Sequence, residues 1–325
     1  VGKRNSLDRR KIIIFFEKLI TKMSDNHQRF ISVIIPVFNN IEALIICLQA
    51  LENQTYPPNL YEVIVVDNGF DDNLEDLITQ FKQARFTSES RPGSYAARNQ
   101  GIAIAKGEIL AFTDSDCIPN QDWLANGIKY LLSVPNCGLV AGKINFFYQN
   151  PQSPTAIEIY DSVTFLDQKK YIEKHHYGAT ANLFTFKKVF EKVGFFNCNL
   201  KSGGDKEWGK RVFSHGYSLI YADDSYVNHP ARASFKEMYK KIARTREGGY
   251  DLEQIYKKNK FAFYGQRLML LFWRLKPPIK SAFKKINSAN YLMNKTQAFK
   301  LVLTTFLFHY WGVWLDVKLS LKSKP

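Results

Sequence analysis

The stretch Glu108-Ile109-Leu110-Ala111-Phe112-Thr113-Asp114-Ser115-Asp116-Cys117-Ile118-Pro119 decides how the chain is read. Ile109 to Phe112 has the length and apolar character of a buried strand, and two carboxylates one residue apart close it. A strand that ends in Asp-x-Asp delivers charge to the edge where open α/β sheets bind ligands. Hard oxygen ligands with room left for phosphate suit Mg²⁺ or Mn²⁺. An isolated Asp-x-Asp can also be a solvated turn with an Asx cap, so the flanking segments have to decide.

Upstream, the β-branched run Ile31 to Val37 ends in Phe38-Asn39-Asn40 and is followed by a helical pattern through Leu44, Cys47, Leu48 and Leu51. A second strand, Glu62 to Val66, ends in Asp67-Asn68-Gly69, with a helix expected over 73–84. Two successive βα units predict a parallel sheet with helices on its faces and loops converging on one edge. Arg91 to Gly101 begins as a turn and becomes a helix near Ser94, which aims backbone N–H groups at an anion with Arg98 one turn on. An ordinary helix cap with a surface arginine fits the same residues.

Downstream, a helix is expected from Trp123 to Leu132, a strand from Gly138 to Phe147 and a helix over 155–176. Gly178 to Phe184 is rich in small residues, which let backbone approach a ligand or simply pack. Gly203-Gly204 allows a sharp turn into a helix and sets Asp205 in its first turn, as a cap or as a base. After a strand from Tyr217 to Ala222, His229 precedes Pro230 and is held extended, where it can reach a site as a ligand or serve structure alone. The fold class is therefore α/β: a doubly wound, mainly parallel sheet with helices on both faces, plus a helical basic C-terminal region.

The net charge of +15 is uneven: residues 1–229 hold 25 Lys/Arg against 25 Asp/Glu, and residues 230–325 hold 20 against 5. The basic part is interleaved with apolar and aromatic runs, Leu268 to Trp273 and Leu301 to Leu315, which favours an anionic membrane surface over nucleic acid. The 15-residue run from Leu301, with Trp311 and Trp314 near its end, is shorter than the roughly 20 residues that span a bilayer and suits interfacial insertion. A basic helix with a break at Gly248-Gly249 is expected over 235–259. Residues 8–23 form an amphipathic pattern with Ile12, Phe15, Phe16 and Leu19 on one face, and nothing in 1–26 reads as a signal peptide. Cys47, Cys117, Cys137 and Cys198 have no paired or zinc-ligand spacing, which fits a reducing cytosol. The expected organisation is a basic amphipathic helix over 1–30, a catalytic domain over 31–245 and a membrane-associated region over 246–325.

In order, Val33 to Asn39, Val65 to Gly69, Ala97 to Gly101, Phe112 to Asp116, and Gly203-Gly204-Asp205 ahead of Trp208 and Arg211 resemble the family 2 glycosyltransferases, nucleotide-sugar enzymes of GT-A fold. The resemblance covers roughly residues 31 to 245. It implies that Pro36, Phe38, Asn39 and Asp67 hold the nucleotide, with Arg98, Asn99, Asp114 and Ser115 also on the donor. Asp116 and Asp114 match the metal-binding pair, joined by His229 in some members, and the cofactor implied is Mg²⁺ or Mn²⁺. Asp205 matches the general base with Glu207 in reserve, and Asn182 and Trp208 are expected on the acceptor side.

Those residue types fit the chemistry: a cation neutralises a leaving diphosphate, and a separate carboxylate takes the proton of an attacking hydroxyl, so transfer inverts the anomeric carbon. The expected partners are a nucleoside-diphosphate sugar, UDP before GDP, a glycan or lipid-linked acceptor and a membrane surface on the cytosolic side. Gly204-Asp205 departs from the usual Glu-Asp, and Asn68-Gly69-Phe70 from the usual Asp-Gly-Ser. The Gln-x-x-Arg-Trp signature of processive synthases is not seen, which argues for single-sugar addition. A non-catalytic binding module on the same fold is the alternative. A sugar nucleotidyltransferase would need a glycine-rich basic loop where Phe38-Asn39-Asn40-Ile41-Glu42 stands.

Overall fold

The computed structural model describes residues 29–69, 74–256, 273–289 and 293–322. The expected N-terminal amphipathic helix and most of the Leu268 to Trp273 run lie outside these. In chain order the elements are β1 (Ile31–Val37), α1 (Ile41–Glu52), β2 (Tyr61–Asp67), α2 (Leu74–Ile78), β3 (Ala84–Ser88), α3 (Ser94–Ile104), β4 (Ile109–Thr113) and β5 (Ile118–Pro119). They continue with α4 (Trp123–Ser133), β6 (Cys137–Phe147), α5 (Ala156–Thr164), β7 (Asn182–Phe186), α6 (Lys187–Val193), α7 (Gly204–Ser214) and β8 (Ser218–Pro230). Three helices follow: α8 (Phe235–Tyr256), α9 (Ile279–Ala289) and α10 (Lys295–Lys322).

The eight strands form one sheet in the order β3-β2-β1-β4-β7-β6-β8-β5. β1, β2, β3 and β4 run parallel, β7 lies antiparallel between β4 and β6, and β8 runs parallel to β6. Two reversals restore direction, so β8 ends on the same edge as β1, β2 and β4. That edge is where ligands bind in such sheets.

Period-two alternation builds a core on each face. Ile31, Val33, Ile35 and Val37 of β1 pack with α1 and α4 through Leu44, Leu48, Trp123 and Leu124. Ile34 of β1, with Leu110 and Phe112 of β4, turns to the other face, against Ile102 of α3, Phe190 of α6 and Trp208 of α7. Each such side chain contributes about 1.5–3 kcal/mol by leaving water.

A third cluster joins Ile159 and Tyr160 of α5 to Met238 and Ile242 of α8, Ala289 of α9, and Leu301, Phe308 and Leu315 of α10. Asp161, fully buried on α5, pins this layer: Lys241 Nζ lies 2.6 Å away and the Arg232 backbone N–H donates to it at 3.0 Å. Removing one partner from a buried ion cluster of this kind costs about 3–5 kcal/mol.

Several segments differ from their sequence reading. The helix expected over 73–84 is a single short turn followed by the half-buried edge strand β3, whose mixed residues, Ala84 to Ser88, carry little pattern. The helix expected over 155–176 ends at Thr164, because Phe165 is extended and Leu166 takes a positive φ of 59°. Asp167 then caps a new turn by accepting from the Lys170 N–H. The small residues before Phe184 serve the sheet: a Cβ on Gly178 would stand 2.8 Å from that of Ala141, and Asn182 opens β7.

α8 continues through Gly248 and Gly249 without the expected break and carries the chain past residue 245. α10 has 28 residues, against the 15 of its apolar run. It is the one helix among the described residues long and apolar enough to cross a membrane by length and composition.

Candidate active site

The C-terminal ends of β1, β2, β4 and β8 meet the first turns of α3 and α7, and acidic side chains gather there. Asp67 ends β2 and accepts the Gly69 N–H at 2.7 Å. A Cβ on Gly69 would stand 2.4 Å from Asn39 Oδ1, so the glycine lets the β1 and β2 turns close on each other. Phe38 beside them is two-thirds exposed, and Asn39 holds a positive φ of 48°. Asn68 fixes the next loop, donating to the Glu89 and Arg91 carbonyls at 2.7 and 2.9 Å and accepting the Gly93 N–H at 2.7 Å.

Arg98 is nearly fully buried and ion-paired with Asp114. Its role here is to orient that carboxylate, in place of the direct donor contact expected of it. Ser115 is buried between the two acids.

β5 pairs antiparallel with β8, matching Ile118 with Asn228 and bringing Asp116 to His229. Asp116 Oδ1 and His229 Nε2 are 3.9 Å apart, too far for a hydrogen bond. His229 Nδ1 sits 2.8 Å from the Pro230 carbonyl. A carbonyl can only accept, so Nδ1 carries the proton and the neutral ring turns its Nε2 lone pair toward Asp116.

The Cys117 sulfur completes a group whose donor atoms lie within 4.8 Å of one another. Burial pushes that thiol well up, with Asp116 and Asp114 adding to the shift, and it points to the Ala181 carbonyl at 3.8 Å. What remains is one carboxylate and one imidazole, a set that fits Mn²⁺ or Mg²⁺ completed by phosphate oxygens.

Asp205 lies in the first turn of α7, after Gly203 in the left-handed conformation. Burial pushes its carboxyl above the usual range, against the opposing pull of the Lys206 N–H at 2.8 Å, of Arg98, and of the Tyr95 hydroxyl at 3.2 Å. A raised carboxylate is a stronger base toward a hydroxyl. A Cβ on Gly204 would come 2.8 Å from the Tyr95 ring, so the usual glutamate has no room and Tyr95 stands in its place.

Glu207 is clamped by Arg211 at 2.6 and 2.9 Å and meets the Tyr256 hydroxyl at 3.3 Å, which removes it as a reserve base. Asn99 binds the Phe196 backbone at 2.9 and 3.1 Å and holds that loop, not a donor. Asn182 is fully buried between the Trp123 indole and the Lys143 and Ser225 carbonyls. Trp208 is fully buried on Phe190. Neither of these two offers a surface to an acceptor.

Sequence reading missed Tyr95 and the stacked pair Tyr171 and Tyr177, whose centroids are 4.6 Å apart. Both of the pair feel the charge of Asp205. Their signal was the aromatic content of a segment read as plain helix.

Comparison with known proteins agrees with this geometry. Over 224 residues the chain is 45% identical to Glycosyltransferase AglE of Haloferax volcanii, covering 67% of this chain and 72% of that protein. It is 26% identical over 225 residues to a dolichyl N-acetyl-alpha-D-glucosaminyl phosphate 3-beta-D-2,3-diacetamido-2,3-dideoxy-beta-D-glucuronosyltransferase of Methanococcus voltae, covering 65% and 70% of the two chains.

In structure it resembles the mannosyltransferase PcManGT from Pyrobaculum calidifontis, solved with GDP-Man and Mn²⁺, at a TM-score of 0.62 and 18% identity over 91% of this chain and 88% of that one. The fold is GT-A. The description Glycosyl transferase family 2 matches residues 32–194, and the chain belongs to that family of glycosyltransferases.

Proposed function

We propose that this glycosyltransferase moves one sugar at a time from a nucleoside-diphosphate sugar to a hydroxyl of a lipid-linked or glycan acceptor, with inversion. The observation that carries the reading is the meeting, on one sheet edge, of Asp67, the Asp116–His229 pair and the separate base Asp205. Asp67 and the β1 turn receive the nucleotide, with UDP first and GDP second. Asp116 and His229 would hold the cation, while Arg98 keeps Asp114 beside them. A divalent cation there supplies positive charge that neutralises the leaving diphosphate.

Asp205 accepts the proton of the acceptor hydroxyl as its oxygen forms the new bond to the anomeric carbon. The bond from that carbon to the phosphate oxygen breaks on the opposite face, and its electron pair leaves with the diphosphate. Tyr95 holds the Asp205 carboxylate in place by hydrogen bonding.

The C-terminal part beyond roughly residue 245 rests this catalytic part on the cytosolic face of a membrane. Support comes from the exposed apolar face of α10, its basic neighbours, and the dolichyl phosphate in the name of one relative.

The test is thermal shift of the full chain with UDP, GDP, dTDP and CDP, each with and without Mn²⁺. A metal-dependent rise for one nucleotide is expected, about 2.7 kcal/mol of linkage at a hundredfold excess over Kd. Flat melting curves in all eight conditions would sink the donor site.

A further inference from the structure

Two cavities outside the donor site meet at one point on α8. The first, about 380 Å³, lies among α5, α8, α9 and α10, with Tyr160, Phe165, Ile242, Pro278 and Phe308 in its walls. The second, about 290 Å³, lies between α7 and α8 against Lys206, Lys210, Glu207 and Tyr256. Gly249 and Glu253, one helical turn apart, line both. A Cβ on Gly249 would meet nothing within 4 Å. The join is open at that residue.

The two ends differ in chemistry. At the first, Arg246 and Arg274 both close on Asp316, which leaves aromatic and aliphatic walls to set its preference. At the second, Lys206 directly follows Asp205, and Glu207 is already paired with Arg211. Burial, then Lys170, Lys206, Lys210 and Lys174, pull the nearby His175 down. Lys170 also acts on Lys285 at the rim of the first cavity, after burial and Lys284. Crowded cations with Glu253 as the other acid on that wall favour an anion. An apolar cavity joined to a cationic one suits a molecule with a lipid chain and a phosphate.

We infer that the joined cavities are one acceptor site for a phosphorylated lipid, its chain in the aromatic cavity and its phosphoryl group facing Lys206 and Lys210 beside Asp205. The inference rests on Asp205 being the base, since the acceptor hydroxyl must lie on that side of the phosphate.

The test is calorimetric binding of farnesyl phosphate, farnesol and inorganic phosphate to the full chain. Farnesyl phosphate is expected to bind at least tenfold tighter than either of the others. Gly249→Leu, which fills the join from an open position, and the pair Lys206→Gln/Lys210→Gln should each weaken it at least tenfold with the melting temperature kept.

Farnesol binding as tightly overturns the phosphate role. Inorganic phosphate binding as tightly overturns the lipid role and points to a water-soluble phosphorylated acceptor. Farnesyl phosphate affinity unchanged in both variants overturns the site. A nucleotide and Mn²⁺ shift that persists in the variants separates this failure from failure of the donor reading.

Discussion

The strand-end edge and the outer face of α10 both expose what a folded chain usually hides, for opposite reasons. At the edge, β4 is fully buried through Thr113, and the next residues turn Asp114 and Asp116 into partial contact with solvent. There a rigid apolar strand acts as a stem for charge. On α10, Leu301, Phe308 and Leu315 face the protein while Phe299, Leu303, Leu307, Tyr310, Trp314 and Leu321 face out. That second set recurs every three to four residues, one continuous stripe along a helix about 42 Å long. Soluble proteins rarely expose so large an apolar surface without a use for it. The edge fixes polar groups for chemistry, whereas the stripe offers unspecific surface for docking.

Separating these roles by mutation gives the largest expected effect. Asp205→Asn keeps the shape of the α7 turn and removes the proton acceptor, so kcat should fall roughly a thousandfold, about 4 kcal/mol of barrier. Donor binding, read by nucleotide and Mn²⁺ thermal shift, should stay as in the wild type, and so should vesicle binding. Loss of the thermal shift in this variant would mean that Asp205 holds the donor and is not the base.

Leu303→Glu/Leu307→Glu addresses the other side of the contrast. Both residues are about half exposed and lie outside the cluster formed by α5, α8 and α10, so the fold should hold. Sedimentation with vesicles of phosphatidylcholine and phosphatidylglycerol should drop roughly tenfold, about 1.4 kcal/mol of the transfer energy of two apolar side chains. The nucleotide shift should be unchanged. Equal sedimentation of variant and wild type would remove the stripe from membrane docking.

The contrast also explains what could be read from sequence. β1, β2 and β4 are unbroken apolar runs that each end in a polar signal, and runs of that kind survive any packing around them. Asp114, Asp116 and Asp205 were legible for the same reason, because glycines or strand ends frame them. Asn182, Trp208 and Asn99 were placed at the site by proximity to motifs, but their polar atoms answer to neighbours far along the chain: Trp123, Gly194 and Phe196. Long-range pairing leaves no local mark. β7 escaped notice because its flank of small residues is equally consistent with a ligand loop. The Gly204 departure became intelligible only once the Tyr95 ring lay against it.

The smallest expected effect tests how finely the edge is tuned. Tyr95 donates to Asp205 at 3.2 Å, and a hydrogen bond to the charged form favours ionisation. It therefore holds down a pKa that burial raises. Tyr95→Phe removes that donor, so the Asp205 pKa should rise further. The active form is the carboxylate, so the acid limb of the kcat/KM profile, which climbs with pH as Asp205 deprotonates, should move to higher pH while the plateau changes little.

The sign for stability runs with it. A carboxyl whose folded pKa lies above its unfolded value contributes stability below the unfolded pKa, and that contribution is lost as pH rises through the folded one. Raising the folded pKa widens that window upward, so relative to the wild type the variant should lose less stability between acid and neutral pH from this group. A pH–rate profile paired with melting at matched pH reads both. An acid limb that stays in place would show that the proton acceptor in the reaction is a group Tyr95 does not touch.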